Sequence, residues 1–345
     1  MTLNLALSLG DENMPINSVI GFFSSDARQL YIDDIVKVIS FPEGHVVQFR
    51  YRKKYIAPVY LNDIQSLIGQ KGVIVFTTGN ILGQENVSLV HQPVRLAEII
   101  NIEDDEQTER VYFYLKLSNF CKACDQIPSG NQELFVKSID QVIATSTFVE
   151  VADRLDIKGY PSLFTVIGCY KASDKKKRQY NLLIQPTIID NKDSAYFLDD
   201  ESEYKLDVAF SSKDGFTKRE LSISNDLILL DKNYNNILGT IVDKESYYFH
   251  TASISNINSV STVDIQLTDN ESKYRVSFTF ILQRNTNKPV LFSVLSIMSL
   301  VGITFISKSI DLFKCSVMWG IICTIISLCS FGFSAALLFK LFNKK

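Results

Sequence analysis

The chain has 345 residues, a formal net charge of −3 and 21% charged residues. This nearly neutral balance lacks the basic domain that nucleic-acid binders carry, so direct nucleic-acid binding is not expected. The sequence has 3 histidines and no Walker loop, GxGxxG, GxSxG or HExxH motif. We therefore assign no catalytic residue, metal ligand or cofactor, and we do not expect an enzyme.

Residues 1–125 are predicted to form an N-terminal β-rich domain, either a small barrel or a sandwich. Short runs rich in β-branched and aromatic residues are separated there by turn signals that contain glycine, proline or acidic residues. The predicted strands are 19–23, 35–41, 46–55, 73–77, 94–102 and 111–117. Many short strands with few helical gaps are typical of these two architectures.

Two basic clusters are candidates for binding anions. Arg50, Arg52 and Lys54 alternate on one face of a predicted strand, where they could hold the phosphates of a nucleotide or of an anionic lipid. The second cluster is the run Lys175–Arg178. The alternative interpretation is a solvated strand face for the first cluster and a charged hairpin turn for the second, because runs of charge usually promote solubility.

Residues 126–160 are predicted to be a helical connector. Leu134, Val136, Ile139 and Val142 lie at mixed helical spacing, and Val151 and Leu155 recur four residues apart. We expect one or two short helices there, ending at a turn formed by Gly159, Tyr160 and Pro161.

Cys121 and Cys124 form a C-x-x-C pair that is followed, further along the chain, by the sequence Gly159-Tyr160-Pro161. This combination resembles the thioredoxin family, in which the pair opens a helix and a cis-proline loop packs beside the sulfurs. The resemblance implies a redox site formed by Cys121, Cys124 and Pro161. The alternative is that both cysteines are packing residues in a reducing compartment.

Residues 161–284 are predicted to form an antiparallel β-sandwich. Tyr204, Leu206, Val208 and Phe210 share one strand face, and a hairpin joins the strand that contains Val263 and Ile265 to a second strand. On that second strand, Tyr274, Val276, Phe278 and Phe280 share a face. A series of alternating strands without intervening helices favours the sandwich.

Two long apolar segments follow, 289–306 and 315–339, and neither contains a charged residue. As helices they would span roughly 27 and 37 Å, against a hydrocarbon core of about 30 Å. We predict two transmembrane helices that form an antiparallel hairpin. The alternative, two buried helices of a soluble protein, would normally show a polar stripe.

The distribution of lysine and arginine predicts the orientation of this hairpin. Arg284, Lys288, Lys340, Lys344 and Lys345 lie on the side of the chain termini, whereas the connecting loop offers only Lys308 and Lys314. By the positive-inside rule both termini are cytoplasmic, and we expect a multi-pass protein of the inner membrane with its β-rich part in the cytoplasm.

Ser316, Gly320 and Thr324 recur every four residues in the second predicted helix, a small-residue stripe that allows close helix packing. The lipid bilayer is therefore the first expected partner, and homo-oligomers are expected within it. In layout the chain is similar to the two-helix membrane effectors of bacterial anti-phage defence, which join a sensor domain to a short hairpin. The first hypothesis is such an effector, in which the β-rich region senses a ligand or protein partner and the hairpin oligomerises to perturb the membrane.

Two other hypotheses remain open. One is a scaffold or anchor that docks a cytoplasmic protein partner at the membrane. The other is a thioredoxin-like membrane oxidoreductase that uses the cysteine pair. The sequence identifies neither the ligand nor the partner.

Overall fold

A computed structural model describes most of the chain. The described residues are 19–79, 89–122, 134–139, 144–212, 217–223, 227–230, 235–238, 242–254, 258–268, 273–284, 303–308, 314, 316–319 and 321–328. The protein is mainly β, with several antiparallel sheets, as predicted. Residues 1–283 form one compact unit and residues 284–345 form a second.

The N-terminal part of the first unit contains seven strands and three helices. The strands are β1 (Val19–Ser25), β2 (Val46–Arg52), β3 (Lys71–Thr78), β4 (Val90–Asp105), β5 (Arg110–Cys121), β6 (Val136–Ile139) and β7 (Thr145–Ser146). The helices are α1 (Gln29–Ser40), α2 (Pro58–Leu61) and α3 (Phe148–Arg154), with 3-10 turns at Lys53–Tyr55 and Ile64–Leu67.

These strands form one curved sheet in the order β2-β5-β4-β3-β1-β6, with β7 paired to β5. All pairs are antiparallel except β1 and β3, which are parallel. Backbone hydrogen bonds link the two ends of the sheet: Ala57 donates to Val136 at 2.9 Å, and Phe135 donates to Tyr55 at 2.7 Å. The chain segment after β2 is thus joined to β6, and the sheet curves back on itself.

Helix α1 corrects the prediction of a strand at 35–41. Its apolar side chains Ile32, Ile35, Val36 and Ile39 are spaced three and four residues apart and are all buried. That spacing places them on one helical face, which outweighs the strand preference of β-branched residues. The parallel pair of β1 and β3 is joined by a long crossover that includes α1 and β2, as parallel neighbours require.

The predicted helical connector is only partly helical. Val136 and Ile139, assigned there to a helix, lie in β6, which pairs antiparallel with β1. Pairing with β6 satisfies backbone groups at the end of the sheet, so tertiary contacts override a weak helical pattern. Helix α3 does form, and the Thr147 side chain accepts a hydrogen bond from the Glu150 backbone amide at 3.3 Å. Residues 123–133 and 140–143 lie outside the described part of the connector.

The rest of the first unit is built from strands alone where it is described. They are β8 (Ser162–Asp174), β9 (Gln179–Ile184), β10 (Thr187–Ile189), β11 (Asp193–Asp199), β12 (Glu203–Ser212), β13 (Thr217–Ile223), β14 (Ile228–Leu230), β15 (Asn235–Leu238), β16 (Val242–Thr251), β17 (Asn258–Thr268) and β18 (Lys273–Gln283). One sheet has the order β10-β11-β18-β17-β13-β15 and the other β14-β16-β12-β8-β9. Only β11 and β18 pair in parallel among these strands.

The two sheets pack against each other as in a sandwich. The ring of Phe249 in β16 lies 5.9 Å from that of Phe280 in β18, across the two sheets. The predicted alternation is confirmed on β12 and β18, where the inward side chains are buried. They are Tyr204, Leu206, Val208 and Phe210 on β12, and Val276, Phe278 and Phe280 on β18. One continuous cluster of buried side chains runs from Ile20 to Leu282, so both β regions share a core.

In the second unit, residues 303–308, 317–319 and 321–328 are helical. Over the part of the chain that the structure describes, no helix is both long and apolar enough to cross a membrane. Most of the predicted spans 289–306 and 315–339 lie outside the described residues. Within 321–328, Cys323 and Ser327 are buried, whereas the side chains of Ile321, Ile325 and Leu328 are exposed.

Candidate functional site

A cavity of about 270 Å³ lies where β1 ends and α1 begins. We call it the arginine cavity. Its wall is formed by Ser24 and Ser25 of β1, the first residues of α1, the second half of β2, Tyr55, Phe135 and Arg110 of β5. The β1–α1 connection is short, so it brings the helix start beside the sheet end, and β2 then returns along the helix.

Four arginines from separate segments line this cavity: Arg28, Arg50, Arg52 and Arg110. Arg50 and Arg52 are exposed and share one face of β2, because strand side chains alternate. Across the β2–β5 pair, Arg52 lies directly opposite Arg110. Among the described residues, none of the four guanidinium groups has a carboxylate within salt-bridge distance.

Like charges directly opposite each other on a sheet are destabilising by roughly 0.2–1 kcal/mol. A bound anion would remove that cost, because guanidinium groups form paired hydrogen bonds with phosphate and carboxylate oxygens. Helix α1 points to the same chemistry. Its N-cap is Arg28, which makes no capping hydrogen bond, and its first turn has no acidic residue. An anion near this end would interact favourably with the helix dipole.

The remaining polar groups hold the cavity wall in place. The Ser24 hydroxyl donates to the Tyr31 carbonyl at 3.0 Å, and the Tyr51 hydroxyl donates to the Phe23 carbonyl at 3.1 Å. The second bond ties β2 to the end of β1. These contacts fix the backbone frame from which the arginines project, while the exposed arginine side chains would be ordered on binding.

Asp34 of α1 is the carboxylate in this cavity. The pKa of Asp34 is raised to about 6, chiefly by burial, with Lys37 and Arg50 acting to lower it and the neighbouring Asp33 acting to raise it. Its side chain therefore changes charge between about pH 5 and 7. In the neutral form it leaves the positive charge of the arginines uncompensated.

A larger cleft of about 710 Å³ adjoins the arginine cavity, and Asp34 lines both. Residues of α1 and β2 form one wall, and residues of β10, β11, β17 and β18 form the other. The Ser194 hydroxyl of β11 accepts a hydrogen bond from the Val46 backbone amide at 3.1 Å, which joins the two walls. Tyr31, Asp34, Phe49 and Arg50 line both this cleft and the arginine cavity.

The structure brings two of the three predicted anion-binding residues into the cavity, Arg50 and Arg52. Lys54 does not line it; its ammonium group lies 4.9 Å from the centre of the Tyr55 ring. Sequence reasoning missed Arg28 and Arg110. Arg28 precedes a helix that was taken for a strand. Arg110 starts β5 just after the turn at 106–109, and only the pairing of β5 with the distant β2 brings it beside Arg52.

The predicted redox residues lie in a different setting from the one the thioredoxin resemblance implies. Cys121 is fully buried at the end of β5, where it pairs with Thr145 of β7, instead of opening a helix. Cys124 lies outside the described residues. Pro161 precedes β8, and all peptide bonds of the described residues are trans.

The predicted helix-packing stripe is only partly described. Ser316 and Thr324 are half-buried, and Gly320 lies outside the described residues. The stripe therefore stays a prediction.

Comparison with known proteins places the chain in no family. No family model matches the sequence, and no curated protein matches it significantly. A solved structure of the Vibrio cholerae VesB protease aligns with 70% of this chain and 96% of its own length. The identity is 6% and the TM-score is 0.22, which is too low to support an argument about fold or activity.

Proposed function

We propose that this chain is a two-pass membrane effector that binds a phosphate-bearing ligand in the arginine cavity and responds by self-association of its C-terminal hairpin. The observation that carries the binding half is the convergence of four arginines from β2, β5 and the start of α1 on one cavity. Arginine is favoured wherever planar, paired recognition of phosphate is needed.

The lining is suited to binding an anion. Four of its side chains are guanidinium groups, and Asp34 is the carboxylate among its described residues. A nucleotide and a lipid headgroup both offer the phosphate that this wall would hold.

The membrane half rests on the sequence and on the exposure of side chains in the second unit. Val317, Met318 and Trp319 are each more than half exposed, and so are Ile325 and Leu328. Contiguous exposed apolar residues of this size are unusual in water and typical of a surface that faces lipid. The small polar residues Cys323 and Ser327 are instead buried, which fits packing between membrane helices.

The binding half is tested with the full chain in nanodiscs of zwitterionic lipid and sulfate as the probe. A ligand that binds only the folded state raises the melting midpoint with concentration. We expect sulfate to stabilise the wild type and the control Lys176→Gln/Lys177→Gln, which removes two exposed charges from the turn between β8 and β9. The variant Arg50→Gln/Arg52→Gln should lose this effect. Equal stabilisation of all three proteins would refute the site.

The membrane half is tested by expressing the chain with and without residues 289–345 while growth and membrane potential are followed. We expect depolarisation and slower growth only with the complete chain. A membrane-bound chain that leaves both unchanged would favour the scaffold hypothesis. Orientation is checked with reporters: one fused after Lys345 should be active in the cytoplasm, and one inserted at Asp311 should be active outside.

A further inference from the structure

The larger cleft adjoins the arginine cavity, and the same side chains form the boundary between them. Tyr31 and Asp34 of α1, with Phe49 and Arg50 of β2, line both volumes. The two volumes therefore adjoin at Arg50, so that one ligand could occupy both. The cleft, at about 710 Å³, lies within the range of sites that enclose small molecules.

The lining of the cleft is mixed, and apolar side chains lie on both walls beside polar and charged groups such as Lys37 and Asp193. Leu30 of α1 and Val260 of β17 line it and are 48% and 62% exposed. Val47, Ile189 and Ile281 add further apolar surface. Exposed aliphatic side chains that face each other across a cleft would lose contact with water if an apolar group lay between them.

One buried polar group in the cleft lacks a partner among the described residues. His45 is 6% exposed and lines the cleft, and its Nδ1 atom makes no hydrogen bond there. Burial and the nearby Arg95 lower the pKa of His45 to about 3, so the imidazole is neutral. It stacks on Phe41 with ring centres 3.8 Å apart. The neutral ring carries no charge that would oppose an apolar ligand body, and its Nδ1 offers one hydrogen bond to a polar group on that body.

We infer that one phosphorylated amphiphile spans both volumes, with its phosphate among the four arginines and its apolar body in the cleft between α1, β2 and β18. This inference rests on the proposed function and names the class of ligand. All four arginines line the smaller volume, whereas the larger one combines aliphatic side chains with polar and charged groups. The phosphate would lie among the arginines and the apolar body against the aliphatic part of the cleft.

The test uses a series of n-alkyl phosphates from methyl to hexyl, titrated by calorimetry into the full chain in nanodiscs of zwitterionic lipid. Empty nanodiscs correct for partitioning. Burying one methylene strengthens binding by about fourfold at most. We expect affinity to rise steadily with chain length for the wild type, and we expect hexyl phosphate to bind more tightly than adenosine monophosphate.

Two variants locate the effect. Val260→Trp places a large ring in the cleft. Because position 260 is exposed, the variant should still fold, but its affinity should no longer rise with the length of the alkyl chain. Methyl phosphate should still bind to it. Val59→Trp is the matched control, because Val59 is 70% exposed on α2 and does not line the cleft.

The outcomes separate this inference from the proposed function. If methyl phosphate binds and a longer alkyl chain does not raise the affinity, the phosphate site in the arginine cavity is supported and an amphiphilic ligand is ruled out. Tighter binding of adenosine monophosphate than of hexyl phosphate would also overturn the inference, since the body would then be a polar base. If no phosphate binds at all, the proposed function fails as well.

Discussion

Arg52 of β2 lies directly opposite Arg110 of β5, in an antiparallel register that places both side chains on the same face of the sheet. Both line the arginine cavity, and neither has a carboxylate partner among the described residues. Two facing guanidinium groups cost stability in the empty protein and provide binding energy when an anion lies between them.

The first prediction concerns this pair. In low salt without sulfate, Arg52→Gln should raise the free energy of unfolding by about 0.2–1 kcal/mol, because it removes the repulsion. The same change should weaken sulfate binding. Arg52→Lys is the matched control: it keeps the charge but loses the paired hydrogen bonds, so only binding should suffer. Thermal unfolding with and without sulfate measures both effects. A lower midpoint for Arg52→Gln without sulfate would show that the arginine has a structural role instead.

The second prediction concerns the pH dependence of stability at Asp34. Its pKa is about 6 in the folded protein and near 3.8 in the unfolded chain, so the folded state holds the proton more tightly. Stability from this group is complete below about pH 4 and is lost as the pH rises through 6. The charged groups that face it are Asp33, Lys37 and Arg50.

Asp34→Asn should therefore be more stable than the wild type at pH 7.5, by about 1–3 kcal/mol before screening by solvent reduces the figure. The difference should vanish at pH 4. Melting midpoints across this range provide the measurement, with the exposed Asp63→Asn as control. An advantage of the same size at both pH values would mean that packing, not charge, explains it.

The third prediction concerns the core of the sandwich. Phe278 of β18 is 1% exposed, and its ring contacts Phe41 edge-on at 5.3 Å between centres. Phe278→Ala should lower the free energy of unfolding by about 3–5 kcal/mol, because it leaves a cavity. The neighbouring Ser277→Ala, on the exposed face, should change it by less than about 0.5 kcal/mol. Equal midpoints for the two variants would show that the strand register is wrong by one residue.

The fourth prediction concerns the hairpin. In lipid, helix pairing gains nothing from the hydrophobic effect and depends on close packing of small residues. Gly320→Leu places a bulky side chain in the predicted stripe without reducing hydrophobicity. The variant should still fractionate with membranes but lose cross-linked oligomers and depolarisation. Ile322→Leu, about 200° around the helix from Gly320 and therefore off the stripe, is the control. Oligomers and depolarisation that persist in membrane-localised Gly320→Leu would remove the reason for preferring an effector over a scaffold.

Local patterns in the sequence were sufficient to predict the strands that bury only one face. On β12 and β18 the apolar residues alternate, and a period of two admits only one choice of inward face. The hairpin of β17 and β18 followed from the same signal. Helix α1 was also encoded locally, in the spacing of Ile32, Ile35 and Val36, but the β-branched content of that segment favours a strand. Spacing and composition conflicted there, and burial against the sheet decided in favour of the helix.

The candidate site was decided by tertiary structure. Arg50 and Arg52 could be found from their alternation, whereas Arg28 and Arg110 reach the same cavity only because α1 starts beside β1 and β5 pairs with β2. The position of Arg95 could not be predicted from the sequence either. Its side chain is 3% exposed, and its guanidinium donates to the carbonyls of Val38 and Phe41 at the end of α1. Periodicity reports which face of an element is buried. Which charges meet depends on contacts between residues far apart in the chain, and no local pattern encodes those.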